Sequence, residues 1–141
     1  MSSEVTELSP SDCELLLASL DFGRIAVVEN GYPLVFPINY KVVILDGKLA
    51  LAIRTRPDNV IDQPGRAVCF EIDGIDAGHD SGWSVLVRGV LVESSPDPDL
   101  DLHPIVSEGR DAWRIIVPTH LSGRRVCNRL QRWSFHPAGY L

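Results

Sequence analysis

Gly82-Trp83-Ser84-Val85-Leu86-Val87-Arg88-Gly89 lacks the alternation of apolar and polar residues that marks a strand with one wet face. Val85, Leu86 and Val87 run on unbroken, so the stretch reads as a strand covered on both faces. Glycines bracket it, a Trp and a Ser enter it, and an Arg leaves it. A buried strand with polar groups at its ends is expected to line a site.

The punctuation around this strand is that of an antiparallel β protein. Ser9 as N-cap, Pro10 at the first helical position and Asp12 predict a short helix through Leu15, Leu16 and Leu17, closed by Gly23. Short apolar runs then follow, with Asn30-Gly31 and Asp46-Gly47 between them. Such pairs supply the positive φ angles of type I′ turns and so predict hairpins. The expected strands are 25–29, 32–45, 48–54, 66–72, 83–93 and 113–117. Pro33 and Pro37 place the second of them at an edge or a bulge. Pro57 starts at most a turn or two before Pro64-Gly65, residues 73–81 read as a loop, and a short helix is expected near 98–108. Six antiparallel strands with few helices predict a mainly β fold, a small closed barrel.

Composition sets the remaining bounds. A chain of 141 residues with 45% hydrophobic content is long enough for one domain with a real core. Residues 1–8 are expected to be a flexible N-terminus and 127–141 a basic C-terminal tail, with no second domain between them. A net charge of −6 argues against nucleic acid as a partner. No apolar run approaches the roughly 20 residues of a membrane span, and the polar first residues give no signal-peptide core. A soluble, cytoplasmic protein is therefore expected. Cys13, Cys69 and Cys127 are odd in number and widely spaced, which suggests reduced thiols and neither a disulfide framework nor a zinc site. The four histidines share no ligand spacing, so no metal is expected. Nor does any Ser/His/Asp order, P-loop or carboxylate pair support hydrolysis or phosphoryl transfer.

Taken in order, Pro37-Ile38-Asn39-Tyr40, Arg54-Thr55, Phe70-Glu71-Ile72-Asp73, the Gly82–Gly89 strand and Pro118-Thr119-His120-Leu121-Ser122-Gly123-Arg124-Arg125 resemble the pyridoxamine 5′-phosphate oxidase-like family of flavin-binding split barrels. The resemblance spans roughly residues 9–126 and is greatest to short actinobacterial members. It implies a six-stranded split barrel, a homodimer, and FMN bound in a groove at the interface. The deazaflavin F420 is the alternative cofactor, and haem a third that would require an exposed histidine such as His120 or His136.

By position, Pro37, Ile38, Asn39 and Tyr40 would offer backbone groups to the flavin ring. Arg54 and Thr55 would reach the phosphate, and Asn59 would complete its cradle. Trp83 and Ser84 would wall the pocket from a neighbouring region of the dimer, while Arg88 is expected to pair with Glu71 or Asp73. Relatives commonly carry a Gly-Ser-Lys-like triplet where this chain has Asp58, Asn59 and Val60, so the cradle lacks one cation and gains a carboxylate. Arg56 is the candidate to compensate. The resemblance thus implies a flavin oxidoreductase whose redox step belongs to the cofactor, with no catalytic side chain named. A non-enzymatic dimeric binding module, with haem, another ligand or no cofactor, is the second reading.

Overall fold

The computed structural model describes residues 3–93 and 112–128. In chain order the elements are β1 (Ser3–Glu7), α1 (Pro10–Ser19), β2 (Phe22–Glu29), β3 (Tyr32–Asn39), β4 (Lys41–Leu45), β5 (Lys48–Thr55), β6 (Ala67–Asp76), β7 (Ser81–Glu93) and β8 (Ala112–Asn128). A single turn of 3-10 helix precedes β7. The expected helix at 98–108 and the tail from 129 lie outside the described residues.

The helix begins as its sequence directs: Ser9 Oγ accepts the Asp12 amide at 3.1 Å and Pro10 occupies the first turn. It ends at Ser19, not at Gly23. Gly23 lies within β2, where an added Cβ would stand 2.5 Å from Phe70 Cζ and 2.7 Å from the Glu71 carbonyl. Its role is close packing of β2 on β6. Both hairpin signals hold, with φ of 51° and 80° at Asn30 and Gly31 and 51° and 78° at Asp46 and Gly47.

The strands form one antiparallel sheet in the order β3-β2-β6-β7-β8-β5-β4, with β1 added to β8. Among the described residues eight strands stand where six were expected, for two reasons. The run 32–45 is two strands, because Tyr40 leaves the ladder; its amide donates to the Asp21 carbonyl at 3.0 Å and its side chain enters the core. The N-terminus is the second difference. Residues 3–7 pair with 124–128, and Glu7 falls directly opposite Arg124, a favourable cross-strand charge pair. The two end strands, β3 and β4, do not pair with each other, so the barrel is split and not closed. Pro33 and Pro37 sit on the edge strand β3, where a missing amide costs no ladder bond.

One core fills the barrel: Ile25, Phe70, Val85, Val87, Leu51 and Ile116 are fully buried, with Cys13 and Leu17 of α1 capping them. Each such aliphatic or aromatic side chain contributes about 1.5–3 kcal/mol on burial. A second cluster, Ala50, Ala52 and Ile115 with Trp113 and Val92, lies on the opposite face of β5 and β8.

The strand Gly82–Gly89 differs from its reading. Within the chain it alternates after all, with Val85 and Val87 fully buried but Leu86 40% exposed and Arg88 exposed. Its apolar continuity therefore includes a Leu86 that faces outward, away from this chain's own core. Arg88 does not meet Glu71 or Asp73. Arg24, directly opposite Glu71 on β2, takes both carboxylates at 3.2 and 3.3 Å, whereas Arg88 lies opposite Cys69. Beyond Arg88 the register slips: Arg88 opposes His120 and Gly89 opposes Pro118, leaving Thr119 bulged with its hydroxyl donated to the Arg88 carbonyl at 3.1 Å.

Candidate functional site

Arg54, the last residue but one of β5, stands directly opposite Trp113 of β8. Neighbours on β5 point to opposite faces, so Arg54 shares a face with Ala52 and Ala50, while Thr55 turns inward. The guanidinium carbon sits 5.2 Å from the Trp113 ring centroid, a cation held over an indole face. Ala50 and Ala52, fully buried beneath this face, leave the large ring and the Arg stem room to lie along it.

Thr55 is fully buried, and its hydroxyl donates to Asn59 Oδ1 at 3.1 Å. The same oxygen accepts the amides of Ile61 and Asp62, each at 3.0 Å. Asp62 repeats the device one residue set away: its Oδ2 accepts the Asp58 amide at 2.9 Å, and its two oxygens take Arg114 Nε at 2.6 Å and Nη2 at 3.0 Å. Arg114 holds the Asp62 carboxyl below the usual carboxylate range, chiefly through these hydrogen bonds, and Asp62 in turn raises Arg114. The Asn59 amide donates to the Arg56 carbonyl at 3.4 Å and the Gln63 amide to the Ile61 carbonyl at 2.8 Å. Asp58 takes a positive φ of 61° to close the turn. Arg56 is exposed beside it.

Between this loop and the β2–β3 turn lies a polar cleft of about 380 Å³, lined by Glu29, Asn30, Asp58, Asn59, Gln63 and Arg66 among others. Carboxylates outnumber cations along it.

At the corner between β3 and β4, Pro37 is exposed and Asn39 is half-buried, its side-chain amide donating to the Asp21 carbonyl at 3.2 Å. Ile38 and Tyr40 belong to the core. The Tyr40 hydroxyl donates to the Leu17 carbonyl at 2.6 Å and its ring meets Phe70 edge-on at 4.8 Å. Burial, aided by Asp21, pushes the phenol well above its ordinary pKa.

Trp83 and Ser84 stand elsewhere. Trp83 opposes Arg125 on β8, whereas Arg54 opposes Trp113, a separation of 125 − 113 = 12 positions along that strand. At about 3.3 Å per residue this is on the order of 35–40 Å. The indole packs on Gly74, where an added Cβ would meet Nε1 at 2.6 Å. Ser84 lies between Asp73 and Arg124 in register.

The structure therefore gathers Arg54, Thr55, Arg56 and Asn59 at one end of the sheet, sets 37–40 at the split corner, and keeps Trp83 and Ser84 at the far end of β8. Trp113, Asp62 and Arg114 join the first group, which the sequence reading left out. Trp113 read as core, and Arg114 carried no motif to connect it with a carboxylate fifty-two residues away. Among the described residues no group of three or more His, Cys, Asp or Glu side chains is placed to hold a metal ion, and no helix is long and apolar enough to cross a membrane.

Comparison with known proteins agrees with this architecture. The family profile described as pyridoxamine 5′-phosphate oxidase matches residues 9–125. An uncharacterized protein of Mycobacterium tuberculosis is 33% identical over 137 residues, covering 87% of this chain and 86% of that protein. The solved structure of the FAD binding protein from Mycobacterium smegmatis is 31% identical, covering 86% of this chain and 98% of that one, with a TM-score of 0.67. A FAD-binding protein from Mesorhizobium loti, 23% identical with a TM-score of 0.68 over 90% of this chain and 100% of that one, shares the fold. The profile and the 31–33% identical relatives show that this chain belongs to the pyridoxamine 5′-phosphate oxidase-like family of flavin-binding split barrels.

Proposed function

We propose that this chain is a flavin-dependent oxidoreductase of the split-barrel type, acting as a homodimer whose cofactor groove is shared between two copies. The observation that carries the reading is the likeness to the FAD binding protein of M. smegmatis, 31% identical along 98% of that chain. The residues at the end of β5 fit such a group. Arg54, held over Trp113 on the outer face, offers a positioned cation to a flavin's anionic or carbonyl oxygens. Bound flavin supplies the electron chemistry; the protein positions it, shields it from water and tunes it by hydrogen bonds.

Dimerisation is supported by the outer face of the sheet. Ile75, Gly82, Val126 and Val5 follow one another in register across β6, β7, β8 and β1, and Ile75, Val126 and Val5 are 40%, 40% and 61% exposed. Leu86 adds a further exposed apolar side chain to that face. A second copy explains that surface, and it would let Ser84, on the outer face but remote from Arg54 in one chain, join a shared groove, whereas the Trp83 indole packs on the core side of β7. Three unpaired cysteines support a cytoplasmic setting.

Purified protein titrated with flavins tests the reading. Quenching of flavin fluorescence, or a visible flavin spectrum on the isolated protein, is the expected result; a colourless protein that takes up no flavin overturns it. The second reading, a dimeric binding module without turnover, draws on the closed, carboxylate-bearing loop at 58–62. A flavin-loaded protein whose cofactor is not reduced by nicotinamide donors favours that module.

A further inference from the structure

We infer that this chain rejects flavins ending in a free phosphomonoester, and takes a flavin whose 5′ oxygen is a plain hydroxyl or whose 5′ phosphate is itself joined onward. The inference rests on the flavin-binding reading, with the 56–63 loop facing the ribityl end.

A terminal phosphate is a dianion near neutral pH and needs unclaimed amide, hydroxyl or cationic donors. The loop that would supply them has turned most of its backbone amides and its buried hydroxyl on itself, which leaves the exposed Arg56 as its cation. The amides of Asp58, Ile61 and Asp62 go to the side chains of Asp62 and Asn59, those of Asn59 and Gln63 go to loop carbonyls, and the Thr55 hydroxyl goes to Asn59. Asn59 Oδ1 and the Asp62 carboxylate thus sit where phosphate oxygens would collect hydrogen bonds. Arg114 is engaged at two points by Asp62. What the cleft beside the loop presents instead is oxygen: Glu29, Asn30 and Asp58, with Arg66 among them. Such a lining accepts hydrogen bonds from sugar hydroxyls or amino groups and repels a dianion.

The loop cannot open at small cost, because freeing its amides exposes Thr55 and Asn59 and strips Arg114 of its partner in a nearly buried setting. Side-chain exposures of 5% for Asp62 and 14% for Arg114 place that pair out of water. The discrimination is therefore built into a folded element and not into one charge.

Riboflavin, FMN and FAD titrated separately into the purified protein, followed by fluorescence quenching at neutral pH, test the inference. FMN is expected to bind at least tenfold more weakly than riboflavin, and more weakly than FAD, whose two phosphates carry one charge each. FMN equal to or tighter than riboflavin overturns the inference and leaves flavin binding standing. Failure of all three to bind overturns the flavin reading and the inference with it. The double variant Asp58→Gly, Val60→Lys, with a cation added and a glycine at the φ of 61°, is expected to tighten FMN at least tenfold relative to riboflavin. Asp58→Gly alone suits the same backbone, and it is expected to narrow the FMN-to-riboflavin ratio at least threefold. An unmoved ratio in both variants overturns the placement of the loop.

Discussion

Asp62 and Arg114 meet at two points, Nε to Oδ1 at 2.6 Å and Nη2 to Oδ2 at 3.0 Å, tying the loop after β5 to the start of β8. Both side chains are largely removed from water, so deleting one strands the other. Arg114→Leu is expected to cost about 3–5 kcal/mol. At about 2–4 °C per kcal/mol, the melting temperature falls by roughly 6–20 °C. The folded Asp62 pKa lies below its unfolded value, so the pair's contribution is complete above the unfolded carboxylate range and is lost as pH falls through the lower folded value. Thermal melts of the two proteins should therefore begin to converge below about pH 4. A gap that persists unchanged at pH 3 contradicts the pairing.

Glu71 carries the opposite sign. Burial first and the neighbouring Asp73 second raise its pKa, more than Arg24 lowers it. A raised carboxyl contributes stability that is full below the unfolded Glu value and is lost as pH rises through the folded one. Glu71→Gln is therefore expected to raise the melting temperature at pH 7 and to leave it unchanged at pH 4. With the side chain 35% exposed, solvent screening keeps the gain under about 1 kcal/mol. Destabilisation at pH 7 would show that the ion pair with Arg24 outweighs the repulsion.

How far the sequence disclosed this molecule depended on the range of the interactions involved. Ser9, Asn30-Gly31 and Asp46-Gly47 act within four residues, and each did what local backbone chemistry requires. The split at Tyr40 was not legible, because 32–45 is a continuous strand-forming run and only the tertiary fit of the phenol breaks it. Strand β1 was hidden too, since Val5 apart its residues are polar and its pairing relies on β8. At the site, Arg54 and Thr55 were legible as a pair, yet their alternation sends one out to Trp113 and the other in to Asn59. Motif spacing records that two residues are adjacent; it does not record which face each serves. Asp62 and Arg114 have no local signal, and their closure of the loop follows only from folding.

Tyr40 is expected to be a stability residue first. Tyr40→Phe keeps the ring against Phe70 but leaves the Leu17 carbonyl without its 2.6 Å donor. A buried acceptor left unsatisfied costs about 1–3 kcal/mol. Chemical denaturation should give that loss with an unchanged m-value, and Ser9→Ala, about 1 kcal/mol at the other end of α1, supplies a comparison on the same helix. A Tyr40→Phe protein as stable as the parent would mean that water replaces the hydroxyl.

Gly89 is fixed by the close approach of β8 at the bulge. An added Cβ would stand 2.5 Å from the Val117 carbonyl oxygen and 3.0 Å from its carbon, backbone atoms that cannot rotate away. Gly89→Ala is expected to cost about 1–3 kcal/mol through forced separation of β7 from β8. Equal stability of the two proteins in denaturant would mean that the strands slide at no cost.

Val126 tests the shared groove. It lies in the exposed apolar row formed with Val5 and Ile75 on the outer face, away from Arg54 along β8. Sedimentation should give a mass near twice 15.6 kDa for the parent protein. In Val126→Glu, two copies of one face would bring like charges together in an apolar contact, and the mass should fall toward that of one chain at micromolar concentration. Because the substitution lies remote from Arg54, Trp113 and the 56–63 loop, loss of flavin uptake on dissociation would show that the groove needs both copies. A monomeric variant that still binds flavin with unchanged affinity would place the whole site within one chain.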